Sequence, residues 1–413
     1  MPDPSSSRLA VRLTPDALRQ VRGGHPWVYA DSVRSATPAG RAGDLAVVFD
    51  ERRRFAAIGL WDPSSPIRIR ILHVGSPLPI DLGFWRSRLA ACLARREDLT
   101  RRGDTTGLRL VNGENDGMPG LVVDRYADVV VLKVYTVAWM THLDDVVRVI
   151  DEAIHPTAVV LRLARALPVD GLRGHADGDV IRGSLSTGLV PFLECGLYFE
   201  ADVVHGQKTG HFLDQRDNRA LVATMVAGRR VLDLFASTGG FTVHAAAGGA
   251  TEVVSVDLSG PTLEVAARNL AANRHLPRVA ACAHTSVVAD AFDVLADLGR
   301  RGDRFDVVVI DPPSFASRQD QVAGALAAHG RLTALAAAVT SDGGTVVQSS
   351  CTSRITVEEL ERTMRRSAGL AGFELDVRRR TGHPVDHPIG FAEGRYLCSV
   401  FATISGGARG TSR

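Results

Sequence analysis

From about residue 229 onward, short apolar runs alternate with helical segments, and few architectures accept that alternation. RVLDLF, EVVSVD, TSVVAD, FDVVVID and TVVQSS read as strands. Between them, GGFTVHAAAGG, PTLEVAARNLAAN and stretches at 291–299, 321–341 and 356–369 have helical spacing. Apolar strands separated by helices close as a parallel, doubly wound sheet, an α/β fold. Two later strands, around 373–379 and 395–403, are expected to finish the sheet, one of them antiparallel.

At 413 residues the chain exceeds a typical single core, and its front half follows another rule. LAVVFD, FAAIGLW and IRIRIL are short strands joined by tight turns, which predicts a small β-barrel over 1–75. Alternation in IRIRIL predicts Arg68 and Arg70 on one exposed face. An arginine-rich amphipathic helix is expected over 82–102. A hairpin follows with turns at Asp116-Gly117 and Pro119-Gly120, then a helix at 139–154 and a strand at 157–163. The expected division is therefore a barrel at 1–75, an α+β domain at 76–190 and the doubly wound domain at 191–404. A disordered tail is expected at 405–413.

Charge is distributed unevenly. Residues 1–110 hold 18 arginines and no lysine against 11 acidic residues, a net +7 within a chain of net +2, which leaves −5 for the rest. A basic front joined to a mildly acidic back points to a polyanion-binding module ahead of a catalytic one. The Arg52, Arg53 and Arg54 turn is its densest cationic point. The five cysteines are scattered, with no C-x-x-C pair, so neither a disulfide framework nor a metal site is expected. The N-terminus lacks a signal-peptide core and no run of about 18 apolar residues occurs, so the expected setting is the cytoplasm, with no membrane partner.

In open α/β sheets, ligands sit at the carboxyl ends of the strands. The first strand ends in VLDLFASTGGFT, which carries Asp233, Phe235 and Gly239. The second ends in Asp257, 24 residues after Asp233, where a carboxylate suits a ribose diol. The third ends in Asp290, placed to accept from an adenine amine. A dinucleotide site wants G-x-G-x-x-G, but only Gly239-Gly240 is present, and Asp233 would repel a pyrophosphate. An acidic loop attracts the sulfonium and amino group of S-adenosylmethionine, which is the cofactor expected.

The fourth strand ends in Asp311-Pro312-Pro313, a stiff turn that aims the Asp311 carboxylate at a substrate. Amine-methylating enzymes place an aromatic residue directly after such prolines, whereas here Ser314 follows and Phe315 comes one step later. The fifth strand ends in Ser349-Ser350-Cys351-Thr352, beside the fourth, which predicts Cys351 across the pocket from Asp311. A thiolate adding to pyrimidine C6 makes C5 nucleophilic, so Cys351 is read as a covalent catalyst and Asp311 as its acid partner. Cys92, Cys195, Cys282 and Cys398 are read as structural.

GHPWVYADSV (24–33), NGENDGMPGLVVDRY (112–126), GQKTGHFLDQRDNR (206–219) and the DPPSF and SSCT stretches resemble the bacterial 23S ribosomal RNA large-subunit methyltransferase I family. The resemblance runs over nearly the whole chain. It implies a PUA-like RNA-binding barrel, a central α+β domain and a Rossmann-like methyltransferase domain that forms 5-methylcytosine. It matches Asp233, Gly239, Asp257, Asp290 and Asp311 to the cofactor motifs and Cys351 to the nucleophile. It also favours Phe212 and Gln215 as cofactor residues. His211 stands where relatives carry Phe or Tyr. Lys208, Arg216 and Arg219 are candidate clamps for phosphate or for the cofactor carboxylate, against the alternative of ion pairs with Asp214 and Asp217. The partner implied is 23S ribosomal RNA, naked or in an assembling large subunit, and a homodimer is admitted. The rival readings are an RNA guanine N-methyltransferase, whose neighbouring family lacks the cysteine, and a non-catalytic ribosome-assembly protein.

Overall fold

Polar residues inside a β-strand must face either water or a partner, and the front half of the chain resolves this in two ways. In the computed structural model, residues 7–406 other than 317 are described. The chain divides into two compact units: residues up to 193 with 201–211 and 385–394, and residues 194–200 with 212–384 and 395 onward. The expected barrel and the expected α+β domain both fall in the first unit.

The barrel region is a six-stranded sheet in the order Trp27–Tyr29, Ile67–Val74, Phe55–Trp61, Leu45–Phe49, Arg8–Leu13, Val33–Thr37. Leu9, Val11, Val21, Val28, Val48 and Ile69 fill its core. Arg70 corrects the alternation argument, since it is 5% exposed. It lies against Gly120, where an added Cβ would stand 3.0 Å from its Nε, and its Nη1 donates to the Ile67 carbonyl at 3.1 Å. Gly120, 50 positions later in the sequence, helps cover it. The Trp27 indole donates to Glu114 at 2.8 Å, which joins the GHPW and NGEND stretches.

The central sheet runs in the order Val180–Gly183, Ala158–Leu163, Val129–Val134, Leu121–Tyr126, Gly107–Asn112. One face buries Leu108, Val123, Leu132 and Leu161 beneath the helices Leu82–Ala94 and Leu143–Ile154. The other face carries Asp124, Tyr126, Lys133 and Arg162, and these hold the segment 203–211. Arg162 donates to the Val203 and Gly206 carbonyls, Lys133 donates to the Lys208 carbonyl at 2.9 Å, and Asp124 accepts from Thr209 at 2.6 Å. The helix expected over 82–102 stops at Ala94 and resumes at Glu97–Arg101. Arg96 lies at the break of the expected arginine-rich amphipathic helix and is 0% exposed, so this arginine faces inward.

The second unit is the doubly wound sheet. Its strands are β1 (Arg230–Leu234), β2 (Glu252–Asp257), β3 (Ala283–Val288), β4 (Phe305–Ile310), β5 (Thr340–Cys351), β6 (Glu374–Thr381) and β7 (Leu397–Ser405). They lie in the order β3-β2-β1-β4-β5-β7-β6, and β7 is antiparallel to β5 and β6. The order reverses between β1 and β4, the switch point at which such sheets bind ligands. The helices that flank it are α1 (Arg216–Ala223), α2 (Gly240–Gly248), α3 (Gly260–Ala272), α4 (Ala291–Arg301), α5 (Val322–Val339) and α6 (Val357–Leu370). Across Gln319–Val339 the mean hydropathy reaches 1.4, enough by length and composition to cross a membrane. Leu332, Ala336 and Ala337 of α5 are instead 0% exposed in the core shared with Leu232, Val308 and Leu360. Of the expected tail, Ser405 ends β7, and 407–413 lie outside the described residues.

Candidate active site

The turn from β1 into α2 is shaped by backbone that few side chains tolerate. Phe235 (φ 61°), Ser237 (φ 49°) and Gly239 (φ 78°) all take left-handed conformations. A Cβ on Gly239 would stand 2.7 Å from the Ala266 Cβ of α3, so glycine is required there. Left-handed residues other than glycine store about 1–3 kcal/mol each and cluster at functional loops. The loop is tied to the end of β2: the Ala236 amide donates to the Val256 carbonyl at 3.0 Å, and the Ser237 amide donates to Asp257 at 2.9 Å.

Four carboxylates stand at these strand ends. Asp233 of β1 is 1% exposed, and its Oδ2 accepts from the Thr242 hydroxyl at 2.6 Å. Its Oδ1 is buried without a hydrogen-bond partner. Burial pushes the Asp233 carboxyl up to about 7; the Thr242 bond opposes this, and the Asp311 and Asp257 charges add to it. Asp257 accepts the Ser237 and Ser259 amides, each at 2.9 Å, which orient its lone pairs at the end of β2. Asp290 caps α4 by accepting the Phe292 amide at 2.8 Å. Asp311 follows β4 and accepts from the Gln215 amide at 2.7 Å, and Gln215 in turn is held by Asn218 at 2.6 Å. Gln215 thus positions Asp311. The Phe212 carbonyl accepts from Arg219 at 2.9 Å, which fixes the start of that segment.

Cys351 is the last residue of β5, half-buried, with Sγ 3.6 Å from the Pro312 carbonyl. The expected neighbourhood of the thiol and the Asp-Pro-Pro turn is therefore present. Cys92 and Cys398 are buried, and burial pushes both thiols up to about 12. Among the described residues no group of histidine, cysteine and carboxylate side chains could hold a metal ion.

Several expected pairings change. Arg216 is 2% exposed with Nε on Asp217 at 3.0 Å, the ion pair that the alternative reading expected. Arg219 does not pair with Asp214 or Asp217. It makes a bidentate bond to the buried Glu194 at 2.7 and 2.6 Å. Lys208 belongs to the first unit, on a left-handed backbone with φ 54°. In the Arg52–Arg54 turn, Asp50 accepts the Arg52 and Arg54 amides and the Arg54 guanidinium, and the Arg54 amide bond does most to hold its carboxyl down at about 2. The Arg54 head is therefore committed, while Arg52 and Arg53 are exposed.

These features suit a cationic nucleoside cofactor: an unpartnered buried carboxylate oxygen, a glycine at close approach and an oriented carboxylate on the next strand. Comparison with known proteins agrees. A model of S-adenosylmethionine-dependent methyltransferases matches residues 160–378, and a PUA-like domain matches 11–73. A ribosomal RNA large subunit methyltransferase of Deinococcus radiodurans is 45% identical over 405 residues, covering 97% of this chain and 98% of that one. The chain belongs to the ribosomal RNA large subunit methyltransferase I family. A member from Photobacterium profundum is 34% identical over 394 residues, covering 94% of this chain and 97% of its own. The fold is shared with a methyltransferase solved in complex with SAH, at a TM-score of 0.81 and 20% identity over 96% of this chain and all of that one.

As a member of this family the chain is an S-adenosylmethionine-dependent methyltransferase, and the residues present fit that cofactor. Asp233 would face its cation, Asp257 its ribose and Asp290 its adenine. Asp257→Ala is expected to weaken cofactor binding by about 1–3 kcal/mol, through loss of charge-assisted bonds and of the anchor for Ser237. Calorimetry checks this, and an unchanged affinity would remove Asp257 from the site. Glu194, Gln215 as a positioning group, and Thr242 were not legible as a set in the sequence, because each lies on a different element from its partner.

Proposed function

We propose that the chain methylates C5 of a cytosine in large-subunit ribosomal RNA, with Cys351 as the nucleophile. The observation that carries this reading is the Cys351 thiol at the mouth of the cofactor sheet, against the carbonyl of Pro312. The names of the relatives supply the substrate class.

C5 of cytosine is a poor nucleophile because the ring holds its electrons in conjugation. Addition of the Cys351 thiolate to C6 breaks the C5–C6 double bond and leaves C5 enamine-like. Asp311 takes the proton that the Cys351 thiol gives up and passes it to the base edge, which takes up the charge that this addition pushes onto the ring. S-adenosylmethionine supplies the methyl group as an electrophile. Loss of the C5 proton to solvent then expels the Cys351 thiolate, the base edge returns its proton to the Asp311 carboxylate, and the ring is restored. Phe315, the aromatic residue nearest the prolines, packs edge-on against His329 at 5.2 Å and not as a platform for a base. That packing supports carbon over amine methylation.

Nucleoside mass spectrometry of 23S ribosomal RNA incubated with the protein and cofactor is the test. The expected product is 5-methylcytosine, and a methylated guanine in its place overturns the reading.

RNA capture is assigned to the basic front of the chain. Reversing Arg52 and Arg53 to glutamate is expected to weaken RNA binding and flatten its salt dependence, by a slope of about 0.7–0.9 for each phosphate no longer neutralised. Filter binding across a salt series measures this, and an identical slope in the double variant removes the turn from the RNA interface.

A further inference from the structure

The Asp233 carboxylate does not end at Thr242. The Thr242 hydroxyl lies 2.6 Å from the Ser255 hydroxyl, and Ser255 lies 2.9 Å from Nε2 of His284. The row crosses four elements: Asp233 on β1, Thr242 on α2, Ser255 on β2 and His284 on β3. It begins at a side chain that is 1% exposed and ends at an imidazole on the outermost strand that is only part-buried. Thr242 and Ser255 are each 0% exposed, so neither hydroxyl exchanges its partner with water.

We propose that Thr242, Ser255 and His284 are positioning residues that form a proton relay, holding Asp233 in its cofactor-receiving ionised form and carrying its proton to solvent. A hydroxyl has one proton to give, so the row has only two orders. With Asp233 ionised, Thr242 donates to Asp233 Oδ2, Ser255 donates to Thr242, and His284 Nε2–H donates to Ser255. With Asp233 protonated, every bond runs the other way: Asp233 donates to Thr242, Thr242 to Ser255, and Ser255 to a bare Nε2. Passing from the second order to the first moves each proton by one bond. Asp233 loses a proton, Nε2 gains one, and the imidazolium returns the balance by giving its Nδ1 proton to water.

The site needs such an outlet. Desolvation beside Asp257 and Asp311 keeps the proton on Asp233 until near-neutral pH, whereas a cation at the unpartnered Oδ1 requires the ionised carboxylate. At the far end, burial and the facing Arg274 charge lower the His284 pKa, which favours release of the proton rather than its retention. The inference rests on the reading that Asp233 receives the cofactor's charge, and it is independent of which base is methylated.

The test is calorimetry and stopped-flow binding of S-adenosylmethionine to the full chain from pH 6 to 9, in two buffers of different ionisation enthalpy. Below pH 7 the wild-type affinity should rise about tenfold per pH unit and then level, with about one proton released per binding event at pH 6. Thr242→Val removes the donor that favours the ionised carboxylate, so its midpoint should move to higher pH. Its loss should be several-fold at pH 7 and fade by pH 9, and Thr242→Ser should restore the wild-type profile. His284→Ala should move the midpoint in the same direction. His284→Gln, which can donate to Ser255 but cannot pass a proton on, should restore the midpoint yet slow association below pH 7 only. An equal loss at every pH in Thr242→Val, or an unmoved midpoint in His284→Ala, overturns the relay. A wild-type affinity that is flat from pH 6 to 8 overturns it as well. Complete failure of wild type to bind the cofactor at any pH would overturn the site assignment along with it.

Discussion

Cys351→Ala is expected to bind cofactor and ribosomal RNA as wild type does and to transfer no methyl group. Removing a covalent nucleophile typically costs about 10⁴–10⁶-fold in rate, because the remaining binding groups cannot replace the bond that activates the substrate. In the proposed mechanism that bond is the sulfur–C6 bond, without which C5 keeps its aromatic character. The substitution removes one half-buried sulfur at the end of β5, where the ladder bonds to β7 are made by backbone, so the fold should persist. Methyl transfer from labelled cofactor, with calorimetric and RNA-binding controls, measures the separation. Retention of transfer within a few-fold of wild type contradicts the nucleophile assignment.

The largest stability effect is expected in the first unit, at Arg96. Its side chain and that of Asp116 are both 0% exposed. The guanidinium donates to Asp116 at 3.0 and 2.5 Å and to the carbonyls of Cys92, Arg109 and Asp386 at 3.1, 3.0 and 2.8 Å. Arg96→Ala strands a buried carboxylate and leaves three buried carbonyls short of a donor. Breaking such a pair from one side costs about 3–5 kcal/mol, well above the worth of an exposed ion pair. Arg95 at 2.9 Å and the Asn112 amide at 2.7 Å still reach Asp116, which sets the expectation at the lower end. Urea unfolding followed through the buried Trp85 and Trp139 of this unit reads the change. A loss below about 1 kcal/mol would mean that water already satisfies the carboxylate.

Arg96 also shows where sequence reading stops. The doubly wound sheet was legible because its strands are apolar runs, the first four of them followed or ended by a carboxylate, so Asp233, Asp257, Asp290 and Asp311 could be placed from order alone. Cys351 beside Pro312 followed from the same order. Buried arginines leave no such mark. Arg70 read as surface charge, Arg96 as part of an arginine-rich amphipathic helix and Arg219 as an anion clamp or a partner of Asp214 and Asp217, whereas what covers or pairs them lies elsewhere: Gly120, Asp116 and Glu194 are 20 to 50 positions away in sequence. The row from Asp233 to His284 was hidden for the same reason, since its four polar side chains lie on four different elements and meet only when the strands assemble.

The central claim is a covalent bond between Cys351 and cytosine C6, and RNA carrying 5-fluorocytosine at the target tests it directly. Fluorine leaves no C5 proton to remove, so the thiolate cannot be expelled after methyl transfer and the protein stays attached to the RNA. Denaturing gel electrophoresis should show a cofactor-dependent adduct with wild type and none with Cys351→Ala. A wild-type protein that methylates ordinary RNA yet forms no adduct, or an adduct that survives Cys351→Ala, would contradict the account.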